Sequence, residues 1–296
     1  MPVSWSGWDG FPYAGKRFFS QENVKAAPRP WRNFRYLAPM PCPTYRSLLG
    51  LAATALLLSS CIGEAREPRR LTYELVASTP HDPFASTQGL LLHEGVYYES
   101  TGGYEKSTLR RVEPATGKVL ERRDLPPTAF GEGLALRGDR LYQLEWKSGK
   151  GFLYDRDSFE RVGDFRYEGE GWGLAWDGAH FLLSDGTDRL RFLDPETFAV
   201  VRTVNVRDHL GPVDQLNELE FIEGKVYANR WHTEDILVIN PESGHVEASL
   251  NLAALERPRP SDPEAVLNGI AWDPETRLLH VTGKRWTRVH VLRIGE

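Results

Sequence analysis

Cysteine is nearly missing from this chain. Its 296 residues hold two, Cys42 and Cys61, too few for a disulfide framework. No excess of positive charge exists either: 36 Lys and Arg stand against 41 Asp and Glu, which argues against nucleic acid as a partner, since phosphate binding needs a basic footprint. Long apolar runs are limited to residues 48–58 (LLGLAATALLL), too short to span a bilayer as a permanent helix. The common hydrolytic signatures are missing: no His-Glu-x-x-His, no Gly-x-Ser-x-Gly, and no phosphate-cradling glycine loop ahead of a helix. The eight histidines are scattered without common register and support no zinc site.

The one apolar run carries information of its own. Arg46 precedes it and it ends in Leu58-Ser59-Ser60-Cys61, the shape of a bacterial signal peptide whose cleavage leaves a lipid-modified cysteine. This predicts a signal peptide over residues 40–60, lipidation at Cys61 and a polar tether over 61–70. Met40 then reads as the initiator, and residues 1–39 as an overlong start or a disordered extension. Cys42 would leave with the signal, so the mature chain could form no internal disulfide. Without residues 1–60 it keeps 29 basic and 39 acidic side chains, net −10, ordinary for a soluble envelope protein. The expected location is the bacterial cell envelope, lipid-anchored at the periplasmic face or outer membrane, otherwise periplasmic or secreted.

What is present in quantity is a repeat. Gln88-Gly89-Leu90 returns as Gly131-Glu132-Gly133-Leu134, Gly171-Trp172-Gly173-Leu174, Asn217-Glu218-Leu219-Glu220 and Asn268-Gly269-Ile270-Ala271. The residues just before each Leu or Ile (89, 133, 173, 218, 269) are spaced by 44, 40, 45 and 51 positions. Each phrase opens a short apolar strand, followed by further strands and a turn such as Asp194-Pro195-Glu196 or Asn240-Pro241-Glu242-Ser243-Gly244. A strand repeat of this length is a propeller blade. The last unit offers three strands only, and residues 71–78 (LTYELVAS) form an orphan strand that can complete it. The expected fold is therefore all-β, a five-bladed propeller over residues 71–296, closed by the N-terminal strand of the mature chain. Residues 206–216 and 253–267 interrupt the repeat, each as a helical turn, a short helix or a surface insertion.

In a propeller the innermost strands line a central channel, so residues at their starts crowd one mouth. Gln88, Glu132, Trp172, Asn217 and Glu218 hold such positions, and Phe130, Trp146, Asn229, Trp231, Lys284 and Trp286 sit at neighbouring strand ends. Trp176 and Trp272, in the pattern Gly-Leu/Ile-Ala-Trp-Asp, read as structural instead. The mouth is then a cup with aromatic walls, amide donors, one lysine and one or two carboxylates, suited to a small polar ligand. Two other readings stay open at this point. One is a non-catalytic envelope propeller that binds proteins or sugars. The other is a metal-dependent propeller lactonase, for which Glu132, Asn217, Glu218 and Asn268 would supply part of a ligand set.

Eight phrases in order, from Thr87-Gln88-Gly89-Leu90 and Phe130-Gly131-Glu132-Gly133 through Gln143-Leu144-Glu145-Trp146-Lys147, Glu170-Gly171-Trp172-Gly173, Leu216-Asn217-Glu218-Leu219-Glu220, Tyr227-Ala228-Asn229-Arg230-Trp231 and Asn268-Gly269-Ile270-Ala271 to Thr282-Gly283-Lys284-Arg285-Trp286, resemble the plant and bacterial glutamine cyclotransferase family. The resemblance covers essentially all of residues 71–294. It implies a five-bladed propeller, unrelated in fold to the zinc-dependent animal enzymes of the same activity. It also implies conversion of the N-terminal glutamine of peptides or proteins to pyroglutamate with release of ammonia. Position by position, Glu132 matches the essential carboxylate, Gln88, Asn217 and Lys284 the polar substrate contacts, and Trp172 and Trp231 the aromatic ones. Phe130 and Trp146 match further pocket positions. No cofactor is implied; a structural metal in the channel stays open, and a monomer is expected.

Overall fold

Short alternating strands joined by tight turns make up the computed structural model, which describes residues 66–255 and 262–295. The expected signal segment, Cys61 and most of the tether lie outside the described residues. The first strand, β1 (Arg69–Pro80), is followed by four strands that form an antiparallel sheet in sequence order: β2 (Thr87–His93), β3 (Val96–Thr101), β4 (Thr108–Val112) and β5 (Val119–Asp124). The same order builds a second sheet from β6 (Gly131–Arg137), β7 (Arg140–Glu145), β8 (Lys150–Asp155) and β9 (Arg161–Arg166). A third contains β10 (Leu174–Trp176), β11 (Phe181–Leu183), β12 (Arg189–Leu193) and β13 (Val200–Asn205).

A two-stranded ribbon, β14 (Arg207–Asp208) and β15 (Gly211–Pro212), precedes a larger sheet. That sheet joins β16 (Leu216–Ile222), β17 (Lys225–Arg230), β18 (Asp235–Ile239) and β19 (Val246–Asn251) to β20 (Leu267–Asp273), β21 (Leu278–Gly283) and β22 (Arg288–Gly295). The link between the two groups is β1, which pairs antiparallel with β22 from Thr72 to Pro80 and parallel with β19 through Arg69–Leu71.

Turn chemistry explains why the hairpins recur. Between the third and fourth strands of three groups, an Asx side chain accepts from backbone N–H groups two or three residues on. Asp155 accepts from Ser158 N at 2.8 Å, Asp194 from Thr197 N at 2.8 Å, and Asn240 from Glu242 N at 2.9 Å. Such side chains mimic a backbone turn.

The buried apolar side chains lie between successive strand groups. Leu91, Tyr98 and Leu109 meet Leu134, Leu141 and Phe152; Tyr142 and Leu144 meet Leu174 and Phe181. Phe192 and Leu182 meet Leu219 and Val226, and Ile222 and Ile236 meet Ile270 and Leu279. A further cluster packs Ala271 and Val289 from the end of the chain against Leu90 and Tyr97 near its start. This cyclic stacking is a propeller-type closure, and it places the first strand of each group around one axis.

Residues 206–216 are not helical. They form the β14–β15 ribbon, because Asp208 Oδ1 accepts from Leu210 N at 2.7 Å and from Gly211 N at 3.2 Å, an Asx turn that competes with a helix start. Pro212 next to it has no N–H to give. In the other interruption, residues 253–255 and 262–266 form turns, and 256–261 lie outside the described residues.

Candidate functional site

Four of the five repeated phrases open with a backbone irregularity. The pairing register shifts between Thr87 and Gly89 in β2, Gly131 and Leu134 in β6, Leu216 and Leu219 in β16, and Leu267 and Ile270 in β20. A bulge adds a residue on one strand and re-aims the side chains around it. The crowding here also dictates glycine: a Cβ on Gly89 would lie 2.6 Å from Leu134 N, and one on Gly133 would lie 2.5 Å from Leu174 N. Only a missing side chain lets neighbouring first strands approach so closely.

At the equivalent place in β16 stands Glu218. Its carboxyl group crosses the axis and accepts from Ile270 N at 2.9 Å and Leu90 N at 3.3 Å. Burial pushes its pKa well above the usual carboxylate range, helped by Glu220 and opposed by the two N–H donors. Glu218 therefore ties first strands together and does not join the cup.

Eight residues singled out in the sequence do come together. Gln88, Phe130, Glu132, Trp146, Trp172, Asn217, Trp231 and Lys284, with Glu264, line one cavity of about 300 Å³. Two other expected members are elsewhere. Trp286 is 1% exposed, packed in the core with its indole N–H donating to Ala265 O at 3.1 Å. Asn229 is buried and accepts from Gly269 N at 2.9 Å, joining β17 to β20. Trp176 and Trp272 pack against the apolar clusters, as their pattern predicts.

Aromatic rings form two walls. Trp172 and Trp231 meet edge to face at 5.5 Å, and Trp146, Phe130 and Tyr104 follow one another at 5.4 and 5.3 Å. Glu170 joins the walls by accepting from the indole N–H of Trp146 at 3.0 Å and of Trp172 at 3.2 Å. Around the rim, Gln215, His232 and Arg285 hold positive φ angles of 63°, 60° and 60°. Non-glycine residues in this region store strain; six other described residues share the conformation, most of them in hairpin turns. Trp231 N donates to Gln215 O and Arg285 N to Ala85 O, so two of these turns fix the chain beside Trp231 and Lys284.

The charges divide into engaged and unengaged groups. Glu132 is 5% exposed, and among the described residues no donor bonds its carboxyl oxygens; its backbone oxygen accepts from Ser100 Oγ. Burial pushes its pKa well above normal; Lys284 opposes this and Glu170 adds to it. Burial lowers the Lys284 pKa, against the pull of Glu132 and Glu264. The Lys284 ammonium also stands 5.8 Å from the Trp231 ring centre, within cation–π range. Two buried polar atoms of lining residues, Asn217 Oδ1 and Trp231 Nε1, have no hydrogen-bond partner among the described residues. Each costs about 1–3 kcal/mol when left unmet, a cost that a polar ligand removes.

A site of this kind suits a small polar molecule between rings, beside a carboxyl group whose raised pKa favours taking up and giving back a proton. Among the described residues no three His, Cys, Asp or Glu side chains gather as a metal site would require. Glu170 and Glu264 were not singled out in the sequence. Glu170 opens the Glu170-Gly171-Trp172-Gly173 phrase, which by itself assigns it no role, and Glu264 lies in an interruption without periodicity.

Comparison with known proteins gives consistent matches. The sequence model of a family described as glutamine cyclotransferase matches residues 48–294. A plant protein, the glutaminyl-peptide cyclotransferase of Arabidopsis thaliana, is 42% identical over 228 residues, covering 75% of this chain and 71% of that one. The crystal structure of Myxococcus xanthus glutaminyl cyclase superposes with a TM-score of 0.73 at 39% identity, covering 77% of this chain and 99% of that one.

Proposed function

The chain belongs to the glutamine cyclotransferase family, and from that premise we propose that its cavity converts the N-terminal glutamine of peptides to pyroglutamate with release of ammonia. The observation that carries this reading is the state of the carboxylates. Glu99, Glu170 and Glu218 spend their oxygens on other groups, while Glu132 keeps its own for a ligand.

The uncharged α-amine attacks the side-chain amide carbon, forming the C–N bond of a five-membered ring. Glu132 takes the proton that the amine gives up and delivers it to the departing amide nitrogen as the old C–N bond breaks. The enzyme returns to its starting form, with ammonia and the lactam as products. Lys284 and the amide N–H groups of Gln88 and Asn217 steady the negative charge on the oxygen. Trp172 and Trp231 flank the folded side chain and exclude water, and Phe130 and Trp146 close the opposite side. Holding the amine against its own side chain supplies much of the acceleration, because the step is intramolecular.

The finer architecture belongs to the same reading: five four-stranded blades, with β1 as the outermost strand of the last. The cyclic run of apolar clusters and the long β1–β22 pairing support it. Export with a lipid on Cys61 rests on the sequence around residues 46–61. The lipid would be found by mass spectrometry of the protein from membranes.

The test is incubation of the purified protein with a short glutaminyl peptide, following ammonia and peptide mass together. Ammonia matched by loss of one ammonia from the peptide, persisting in EDTA and absent with an N-acetylated peptide, is expected. No turnover from folded protein across several glutaminyl peptides would leave a binding propeller as the better reading.

A further inference from the structure

The cavity is at the small end for a ligand site and holds little more than one residue. A second, larger groove of about 750 Å³ adjoins it, sharing Gln88, Phe130, Glu264 and Lys284 as common wall. A peptide whose first residue sits in the cavity has its chain leaving across that wall. The groove is built from the β1–β2 connection, the β3–β4 connection and the chain before β20.

One side of it is held by a buried polar network. Both ring nitrogens of His81 are engaged, with Trp286 O at 2.8 Å and Glu99 Oε1 at 2.9 Å. Thr87 Oγ1 donates to Glu99 at 2.7 Å, and Arg110 bonds Asp82 at 2.7 Å. This fixes the β1–β2 connection and the start of β2, so the groove is preformed on that side.

The groove also has a distinct charge. Lys106, Arg110, Lys284 and Arg285 line it, against Asp262 and Glu264. Most of this charge is already offset: Arg110 is paired with Asp82 and Arg285 with Asp262 at 2.6 Å, and Lys284 lies in the field of Glu132 and Glu264. Lys106 is exposed and has no ion-pair partner among the described residues. Phe84 and Tyr104, 82% and 51% exposed, offer ring faces on either side. The groove thus presents an uncompensated positive charge on a chain whose net charge is −5.

We propose, on the basis of the cyclotransferase reading, that this groove receives the residues following the N-terminal glutamine and favours an acidic side chain at the second or third position, drawn to Lys106. The experiment compares kcat/KM for amidated glutaminyl peptides carrying Glu, Ala or Lys at position two, and then at position three, at low and high salt. At one of these positions Glu should exceed Lys by about two- to five-fold at low salt, the range of one exposed ion pair. High salt should flatten the difference, and Lys106→Glu should invert the order. Equal kcat/KM for the Glu and Lys peptides at both positions would overturn the assignment. So would a preference that neither salt nor Lys106→Glu alters. If no glutaminyl peptide, nor glutaminamide, releases ammonia, the cyclotransferase reading fails and takes the groove assignment with it.

Discussion

Replacing Glu132 by Gln tests the chemistry most directly. The two side chains are nearly isosteric, so the ring walls and the Ser100 bond to the Glu132 backbone oxygen remain. The fold should therefore tolerate the change, and a buried ionisable group is removed besides. What disappears is proton transfer, typically worth about 10²–10⁴-fold, or about 3–5 kcal/mol of barrier. Glutamine retains the shape but cannot accept the amine proton, so kcat should fall by that factor with KM changed little. The assay is continuous ammonia detection on a glutaminyl peptide, with a thermal melt to confirm folding.

The pH profile sharpens the test. In the wild type, kcat/KM should rise as Glu132 ionises and as the substrate amine, ordinarily near about 7.7–8.0, loses its proton. It should fall again as Lys284 loses its own. Glu132 holds the Lys284 pKa up against burial, so in the variant the alkaline limb should move to lower pH. Because the two groups interact, the apparent values belong to the pair. A variant that kept kcat within ten-fold of wild type, with both limbs unmoved, would refute the assignment of Glu132 as the proton carrier.

Glu170→Gln removes a negative charge that raises the Glu132 pKa, so the acid limb of kcat/KM should shift downward; an upward shift or none would contradict this coupling. Trp172→Ala opens the wall that Trp172 shares with Trp231 and should raise KM about ten-fold or more, the loss expected for a buried aromatic contact; an unchanged KM would remove Trp172 from the binding wall. Glu220→Gln concerns stability rather than turnover. Burial raises the folded-state pKa of Glu220 from 4.5 to about 8, against a bond from Trp272 N. Its neutral form is the one the fold prefers, so its contribution is fully present below pH 4.5 and is lost as pH rises toward 8. With screening at a partly exposed carboxyl, the loss should be about 1–2 kcal/mol. Melts at pH 5 and pH 8 should differ less in the variant than in the wild type.

The cavity was legible in the sequence because repetition converts sequence position into spatial position. Residues at the same place in successive units must meet around one axis, whatever the details of packing. Gln88, Glu132, Trp172 and Asn217 were accessible in this way. Asn229 and Trp286 show where the reasoning stops. Each stands two positions from a true lining residue, a spacing that shares one face inside a strand. But β17 ends at Arg230 and β21 at Gly283, so Trp231, Lys284 and Trp286 lie in the turns beyond, where strand alternation no longer sets direction. Trp231 and Lys284 thus line the cavity, while Asn229 and Trp286 face the neighbouring strand group or the core. Glu170 becomes visible only when two indoles from different strand groups are seen to share it. Glu264 arrives on a segment whose path no periodicity sets.

The two glutamates inside the repeated phrases show how finely the bulge divides structural from chemical roles. Glu132 stands one position before the crowded glycine site, and Glu218 occupies that site itself. At the crowded position the side chain has only the axis to enter, where backbone N–H groups of β2 and β20 await an acceptor. Four of the five units leave this place to glycine, and Glu218 fills the space and the hydrogen-bonding need together. One residue earlier, the chain aims outward: Gln88, Glu132, Trp172 and Asn217 all line the cavity from that position. The fifth, Asn268, donates to Thr87 O at 2.9 Å and to Gln88 Oε1 at 3.4 Å, which supports Gln88 from behind. The phrase therefore has a constant member that lets the strands meet and a variable member that builds the site. A carboxylate acquires its role from which of the two it replaces.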